Sequence, residues 1–125
     1  MRYLLDTNLF IWAVHTPDRL SRKVRNIIET HPSQMVVSMA SLWEITIKSS
    51  LRKLTVHPDI VARVEGSQAT ILGIETRHLK TLGTLPHHHR DPFDRLLVAQ
   101  AIAEKLTLLT SDKELARYDT KIMLA

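Results

Sequence analysis

Residues 1–14 read MRYLLDTNLFIWAV. Tyr3 to Leu5 is a short apolar run, Asp6 closes it, and TNLFIWAV from Thr7 onward reads as a turn or more of helix. A strand that passes through one acid directly into a helix is the opening unit of an α/β chain, where crossovers join parallel strands. The stretch has a faint look of a secretory leader. Asp6 and Asn8 interrupt its apolar run, however, and no small-residue cleavage site follows, so it is expected to be part of the fold.

The unit recurs along the chain. Leu20, Val24, Ile27 and Ile28 fall at helical spacing around Ser21, a good N-cap, which predicts an amphipathic helix over 21–30 with Pro32 ending it. QMVVS (34–38) is a second strand, and ASLWEITIKSSLRKL (40–54) is the helix after it, with Leu42, Ile45 and Ser49 on one face and Glu44 nearby. HPDIVARVEGSQ (57–68) predicts a helix opened by Asp59 and closed near Gly66, and ATILGI (69–74) a third strand. A short helix over 76–81 leads to a histidine loop, followed by the clearest helix of the chain at 92–104. LTLLTS (106–111) is a fourth strand, and KIMLA (121–125) is either a fifth strand or a docked tail. These strands are continuously apolar rather than alternating, as a parallel sheet covered on both faces requires. The expected fold is therefore α/β: a parallel four- or five-stranded sheet in three layers, with helices on both faces.

Composition narrows the function classes. A chain of 125 residues suits one domain, expected to span 1–125. It has no cysteine, which removes disulfides, thiolate metal sites and a cysteine nucleophile, and which suits a reducing cytoplasm. No run approaches the roughly 18 apolar residues of a membrane span, so no membrane association is expected. The net charge is +4, with basic groups at Arg22, Lys23, Arg25 and at Lys48, Arg52, Lys53. If several acids were gathered in one pocket, the remaining surface would be basic enough to attract a polyanion.

In a sheet of this kind ligands bind beyond the carboxyl ends of the strands. Asp6 directly follows the first strand and Asp112 follows the fourth. Glu44 lies about a turn into the helix after the second strand, and Asp94 lies in the first turn of the helix at 92–104. Four carboxylates from four segments can thus meet at one edge. Crowded like charges are costly, and a cation relieves the cost. Carboxylate and water oxygens suit Mg²⁺ or Mn²⁺, and such an ion can activate water and stabilise charge on a phosphodiester.

Each residue also has a structural reading. Asp6 can cap the helix it precedes, and Asp112 can cap a turn beginning at Lys113. Asp91 precedes Pro92 and so takes the N-cap position, which leaves Asp94 as the third helical residue. Thr7 and Asn8 read as a polar turn that supports the site, and Ser38 as a strand-end hydroxyl bonded toward it. Arg95 is expected to pair with an acid or to meet phosphate. His87, His88 and His89 are adjacent in a loop, so they point in different directions and lack the spacing of a histidine metal site. They are expected to border the site. Trp12 and Trp43 are readable as core, as a dimer face or as part of a partner's groove. Position 8 is Asn, which excludes the DxDxT start of a haloacid-dehalogenase-like phosphatase, and the three isolated glycines exclude a glycine-rich phosphate loop.

Four segments together, LLDTNLFIW (4–12), SMASLWEITIK (38–48), HRDPFDRLLVAQA (89–101) and LLTSDKEL (108–115), resemble the PIN-domain ribonucleases, in particular the VapC toxins of bacterial toxin–antitoxin pairs. The resemblance runs in order over essentially the whole chain. It implies a strand order of 3-2-1-4-5, dependence on Mg²⁺ or Mn²⁺, cleavage of structured RNA, a homodimer and inhibition by a cognate VapB-like antitoxin. It also implies that Asp6, Glu44 and Asp94 are the metal-site carboxylates, with Asp112 as a fourth acid and Asn8, Ser38 and Arg95 in support. The competing expectation is a PIN-like module that binds RNA or protein without turnover.

Overall fold

The computed structural model describes residues 1–118 and 120–124. Five strands form one parallel sheet in the order β3-β2-β1-β4-β5, with β1 at Tyr3–Leu5, β2 at Met35–Ser38, β3 at Thr70–Leu72, β4 at Thr107–Thr110 and β5 at Ile122–Leu124. The ambiguous tail is therefore a strand, paired with β4 through Leu108↔Ile122 and its successors; Ala125 lies outside the described residues. Helices α1 (Thr7–His15), α2 (Arg22–Thr30), α3 (Met39–Ser50), α4 (Ile60–Glu65), α5 (Thr76–Thr84) and α6 (Pro92–Glu104) complete the fold.

Side-chain alternation on the strands divides the core. Tyr3, Leu5, Met35, Val37 and Leu109 face Leu9, Phe10, Val24, Leu42, Ile45, Ile60 and Val64, members of α1 to α4. Leu4, Val36 and Leu108 face the other way, onto Leu97, Val98 and Ala101 of α6 and onto Leu115 and Tyr118. Because both faces are covered, the strand interiors are apolar and polar residues such as Ser38, Thr107 and Thr110 stand at strand ends, which is why the strands read as continuous runs.

Local signals set most boundaries. Ser21 accepts the Val24 amide at 3.2 Å to start α2, and Asp91 accepts the amides of Phe93 and Asp94 ahead of Pro92 to start α6. Two boundaries differ from the expected ones. α3 stops at Ser50 rather than near Leu54, since Arg52 turns left-handed at φ 57° and takes the chain out of the helix. α5 runs on to Thr84 because it packs along α6, where buried His78 donates from Nε2 to Glu104 at 2.9 Å.

The register fixes the site. Leu5 pairs with Val37 on one side and Leu109 on the other, so Asp6, Ser38 and Thr110 stand level at the carboxyl edge. Strands β2 and β3 lie to one side of β1 and β4 and β5 to the other. The direction of winding reverses at β1 and β4, which opens a crevice just beyond Asp6 and Thr110.

Candidate metal centre

Asp6 leaves β1 and enters the crevice as a buried side chain, 4% exposed. Capping and site membership turn out to be compatible in it. One oxygen accepts the Leu9 amide at 2.7 Å, starting α1, and the other accepts the hydroxyl of Thr110 at the end of β4. Glu44, also buried, arrives from the second turn of α3. Its Oε1 accepts from Thr7 Oγ1 at 2.8 Å. Thr7 has a single hydrogen to give, so Ser41, 2.9 Å away, donates to Thr7 in turn. The chain Ser41 to Thr7 to Glu44 ties α3 to α1 and fixes the carboxylate. On its other oxygen, Oε2, Glu44 holds the ammonium of Lys48 at 2.6 Å, one helical turn on.

Asp94 and Asp112 enter from the opposite side. Asp112 caps the short turn at Lys113–Arg117 through the Glu114 amide at 2.9 Å, and its second oxygen lies 2.8 Å from His89 Nε2. Asp94 Oδ2 is 3.6 Å from the same nitrogen. Donor atoms of His89, Asp94 and Asp112 lie within 4.8 Å of one another. Asp6 and Glu44 fall outside that tight trio, yet both act on Asp94 electrostatically.

The electrostatics are those of acids short of positive charge. Burial, with Asp91, Asp6 and Glu44 adding to it and His89 opposing, pushes Asp94 up to about 7. Burial likewise raises Asp6 above the usual carboxylate range, with Asp112 adding to the effect, although hydrogen bonds from Thr110, Leu9 and Ser111 counter it. Lys48 is raised, chiefly by its bond to Glu44 and also by the charges of Asp91 and Asp94, so one ammonium already sits among three acids. A set of oxygen donors with unneutralised charge fits a hard divalent cation.

His89 belongs to the site more closely than its place in a histidine run suggests. Its Nδ1 accepts the Asp91 amide at 3.0 Å, so the ring hydrogen sits on Nε2 and is donated to Asp112. A ligating Nε2 would need that hydrogen moved to Nδ1, where it would meet the Asp91 N–H. In this arrangement His89 orients carboxylates and is not itself a ligand. The Tyr118 hydroxyl accepts the amides of His88 and His89 and holds the loop in place.

The three residues assigned to support have different placements. Asn8 is exposed, and among the described residues no hydrogen bond joins its side chain to an acid. Ser38 is buried, caps α3 through the Ala40 amide at 3.0 Å and donates to Gln100 on α6, so it braces the wall behind the site. Arg95 turns from the acids and donates to the Leu85 carbonyl at 3.2 Å. Sequence reading did not find Ser41 or Thr110 as members of the network, and it placed His89 only at the border of the site together with His87 and His88. Only Lys48 carried a local signal, its spacing of four residues from Glu44.

A second group, Glu75, His78 and Glu104, also brings potential ligand atoms within 4.8 Å. Its needs are already met: His78 Nδ1 accepts the Glu75 amide, Nε2 meets Glu104, and the Arg77 guanidinium bridges both acids at 2.6 Å. It is a clasp between α5 and α6.

The profile of the PIN domain family matches residues 3–121. Ribonuclease VapC22 of Mycobacterium tuberculosis is 26% identical over 118 residues, covering 92% of this chain and 90% of that protein. Among solved structures, VapBC2 from Rickettsia felis bound to a DNA fragment from its promoter superposes with a TM-score of 0.76 at 19% identity, over 99% of this chain and 98% of the other. DNA-bound VapBC from Salmonella typhimurium gives 0.73 at 21% identity, over 98% and 97%.

Proposed function

Because the chain belongs to the PIN domain family, we propose that it is a metal-dependent endoribonuclease, the toxin of a VapBC-type pair. What supports this reading above all is the closeness of Asp94 to Asp112, with Asp6 and Glu44 near enough to act on it by charge, at the switch of the sheet, where burial first and those acids second push Asp94 up to about 7. The name of the curated relative and the assembly of both solved neighbours as VapBC pairs support the nuclease and its VapB-like antitoxin. In this reading the protein is one PIN domain over 1–125, works in the cytoplasm as a homodimer and takes RNA as substrate. Among the described residues no helix is long and apolar enough to cross a membrane.

Asp6, Glu44 and Asp94, with Asp112 assisting, would hold Mg²⁺ or Mn²⁺. When bound, the ion supplies Lewis-acid stabilisation of the phosphodiester and a water activated for attack. The chain's own groups do the rest. Thr7 and Ser41 keep Glu44 in one rotamer, Thr110 does the same for Asp6, and His89 Nε2 holds its hydrogen against Asp112. Lys48, half-exposed at the edge of the acids and bonded to Glu44, supplies a positive charge that could meet the phosphate backbone if Glu44 were engaged elsewhere.

The test is incubation of total cellular RNA with the purified protein and Mn²⁺, beside an EDTA control and Asp6→Ala. Discrete fragments with 5′-phosphate ends that vanish in both controls are expected. No cleavage by folded, antitoxin-free protein would favour the non-catalytic binding module, and 2′,3′-cyclic phosphate ends would refute attack by water.

A further inference from the structure

Trp43 is 54% exposed, unlike Trp12, which is partly buried against the core and covered by the Arg19 guanidinium at 4.4 Å. A core role for Trp43 is thereby excluded. It is not unsupported, however. Its ring meets that of Phe93 edge-on, with centroids 5.2 Å apart and planes at 70°, an arrangement that leaves most of the ring surface unshared.

The position of this pair is informative. Trp43 immediately precedes Glu44 on α3, and Phe93 immediately precedes Asp94 on α6. Successive helical residues point about 100° apart, so the two aromatics bridge the α3–α6 seam to one side of the acids that bridge it. A phosphodiester seated over Glu44 and Asp94 would send a flanking nucleoside toward the side of the seam that carries the rings. Lys48, whose side chain is 46% exposed, and exposed Arg90 give the surroundings the charge a nucleic-acid strand requires. A second copy of the chain is a poorer occupant. A two-fold contact centred on Trp43 would bring two acid clusters toward each other, and among the described residues of α3 and its cap the exposed apolar neighbours are Met39, one turn back, and Leu51, at the far end.

We propose that Trp43, steadied by Phe93, stacks a nucleobase next to the phosphodiester held at the acid cluster, so that the site takes unpaired rather than duplex nucleic acid. This rests on the nuclease reading above. Stacking tolerates every base because each has a π-face, so the platform selects for an unstacked strand and not for sequence.

The chain has two tryptophans, so Trp12→Phe leaves Trp43 as the sole reporter. The probes are a 12-nucleotide single-stranded RNA, the same RNA annealed to its complement, and an abasic oligonucleotide of equal length. Each is titrated in Ca²⁺, and strand integrity is checked afterwards. Trp43 emission should be quenched by the single strand and much less by the other two. Trp43→Ala should weaken single-strand binding roughly 5- to 100-fold, and Trp43→Phe should retain most of the affinity. Trp43 is exposed, so an unchanged thermal melt is expected to certify the fold of these variants. Equal affinity for the abasic strand, or unchanged RNA affinity in Trp43→Ala, overturns the proposal. So does a Trp43→Ala protein that turns from dimer to monomer in sedimentation while binding RNA as before, which would assign the patch to a second copy. Wild-type protein that neither cuts nor binds RNA refutes the underlying reading. Wild-type cleavage matched by Trp43→Ala with unchanged KM refutes the stacking role alone.

Discussion

Replacing Asp94 by Asn is expected to stabilise the metal-free protein and to abolish most of its response to metal. Burial, reinforced by Asp91, Asp6 and Glu44, raises the carboxyl from 3.8 to about 7. The side chain is only 23% exposed, so water screens it weakly. At about 1.4 kcal/mol per pH unit, this displacement sets a ceiling of ~4 kcal/mol on the cost of ionising Asp94 in the fold. The folded state binds this proton more tightly than the unfolded chain does. The cost is therefore absent below pH 3.8, grows between 3.8 and about 7, and is constant above. Asn mimics the protonated form without the ionisation. Its advantage should approach ~4 kcal/mol at pH 8, fall to less than half of that at pH 5 and to under ~1 kcal/mol at pH 4. At pH 8 this corresponds to a melting temperature higher by on the order of 10 °C. Mn²⁺ at 100 times its Kd would raise the wild type by about 3 kcal/mol and close most of the gap. Thermal melts by circular dichroism at the three pH values, in EDTA and then in Mn²⁺, read all of this. An Asp94→Asn protein less stable than wild type in EDTA at pH 8, or an advantage independent of pH, would refute the reasoning.

Thr7→Val removes the hydroxyl that fixes Glu44, and should weaken Mn²⁺ binding about 10- to 100-fold by calorimetry; unchanged affinity would remove Thr7 from the site. His89→Ala should cost about 10- to 100-fold in the same titration, because the ring orients carboxylates and does not ligate. A loss as severe as that of Asp94→Asn would make His89 a ligand. His78→Ala breaks the clasp between α5 and α6 and should destabilise the protein by roughly 2–4 kcal/mol in urea titration. RNA cleavage per folded molecule should stay unchanged, and a matching loss of activity would place that cluster in the catalytic machinery.

The fold was legible because its signals are local. Tyr3–Leu5, the Ser21 cap, the Asp91-Pro92 start of α6 and the apolar run at β4 each declare an element within a few residues, and unbroken apolar strands declare a sheet covered on both faces. The placement of Asp6 and Asp112 at one edge followed from counting residues past strand ends, since the pairing of β1 with β4 carries those counts there. The network around them was hidden because it depends on which side chains meet across elements. Ser41 reaches Thr7 only through the packing of α3 on α1, and Thr110 reaches Asp6 only through the pairing of β1 with β4. His89 was concealed by its neighbours, as three adjacent histidines give no indication of which one the Tyr118 hydroxyl and the Asp91 amide will aim inward. Arg95 was misjudged for the opposite reason. A charge beside Asp94 in sequence points elsewhere on a helix, and here it meets the Leu85 carbonyl.

The carboxylates as a metal seat are tested most directly by anomalous diffraction from crystals soaked in Mn²⁺. The expected result is density contacting Asp6, Glu44 and Asp94, with Lys48 withdrawn from Glu44 and no direct contact from His89. Density at Glu75, His78 and Glu104 instead, or none between the acids at saturating Mn²⁺, would contradict it.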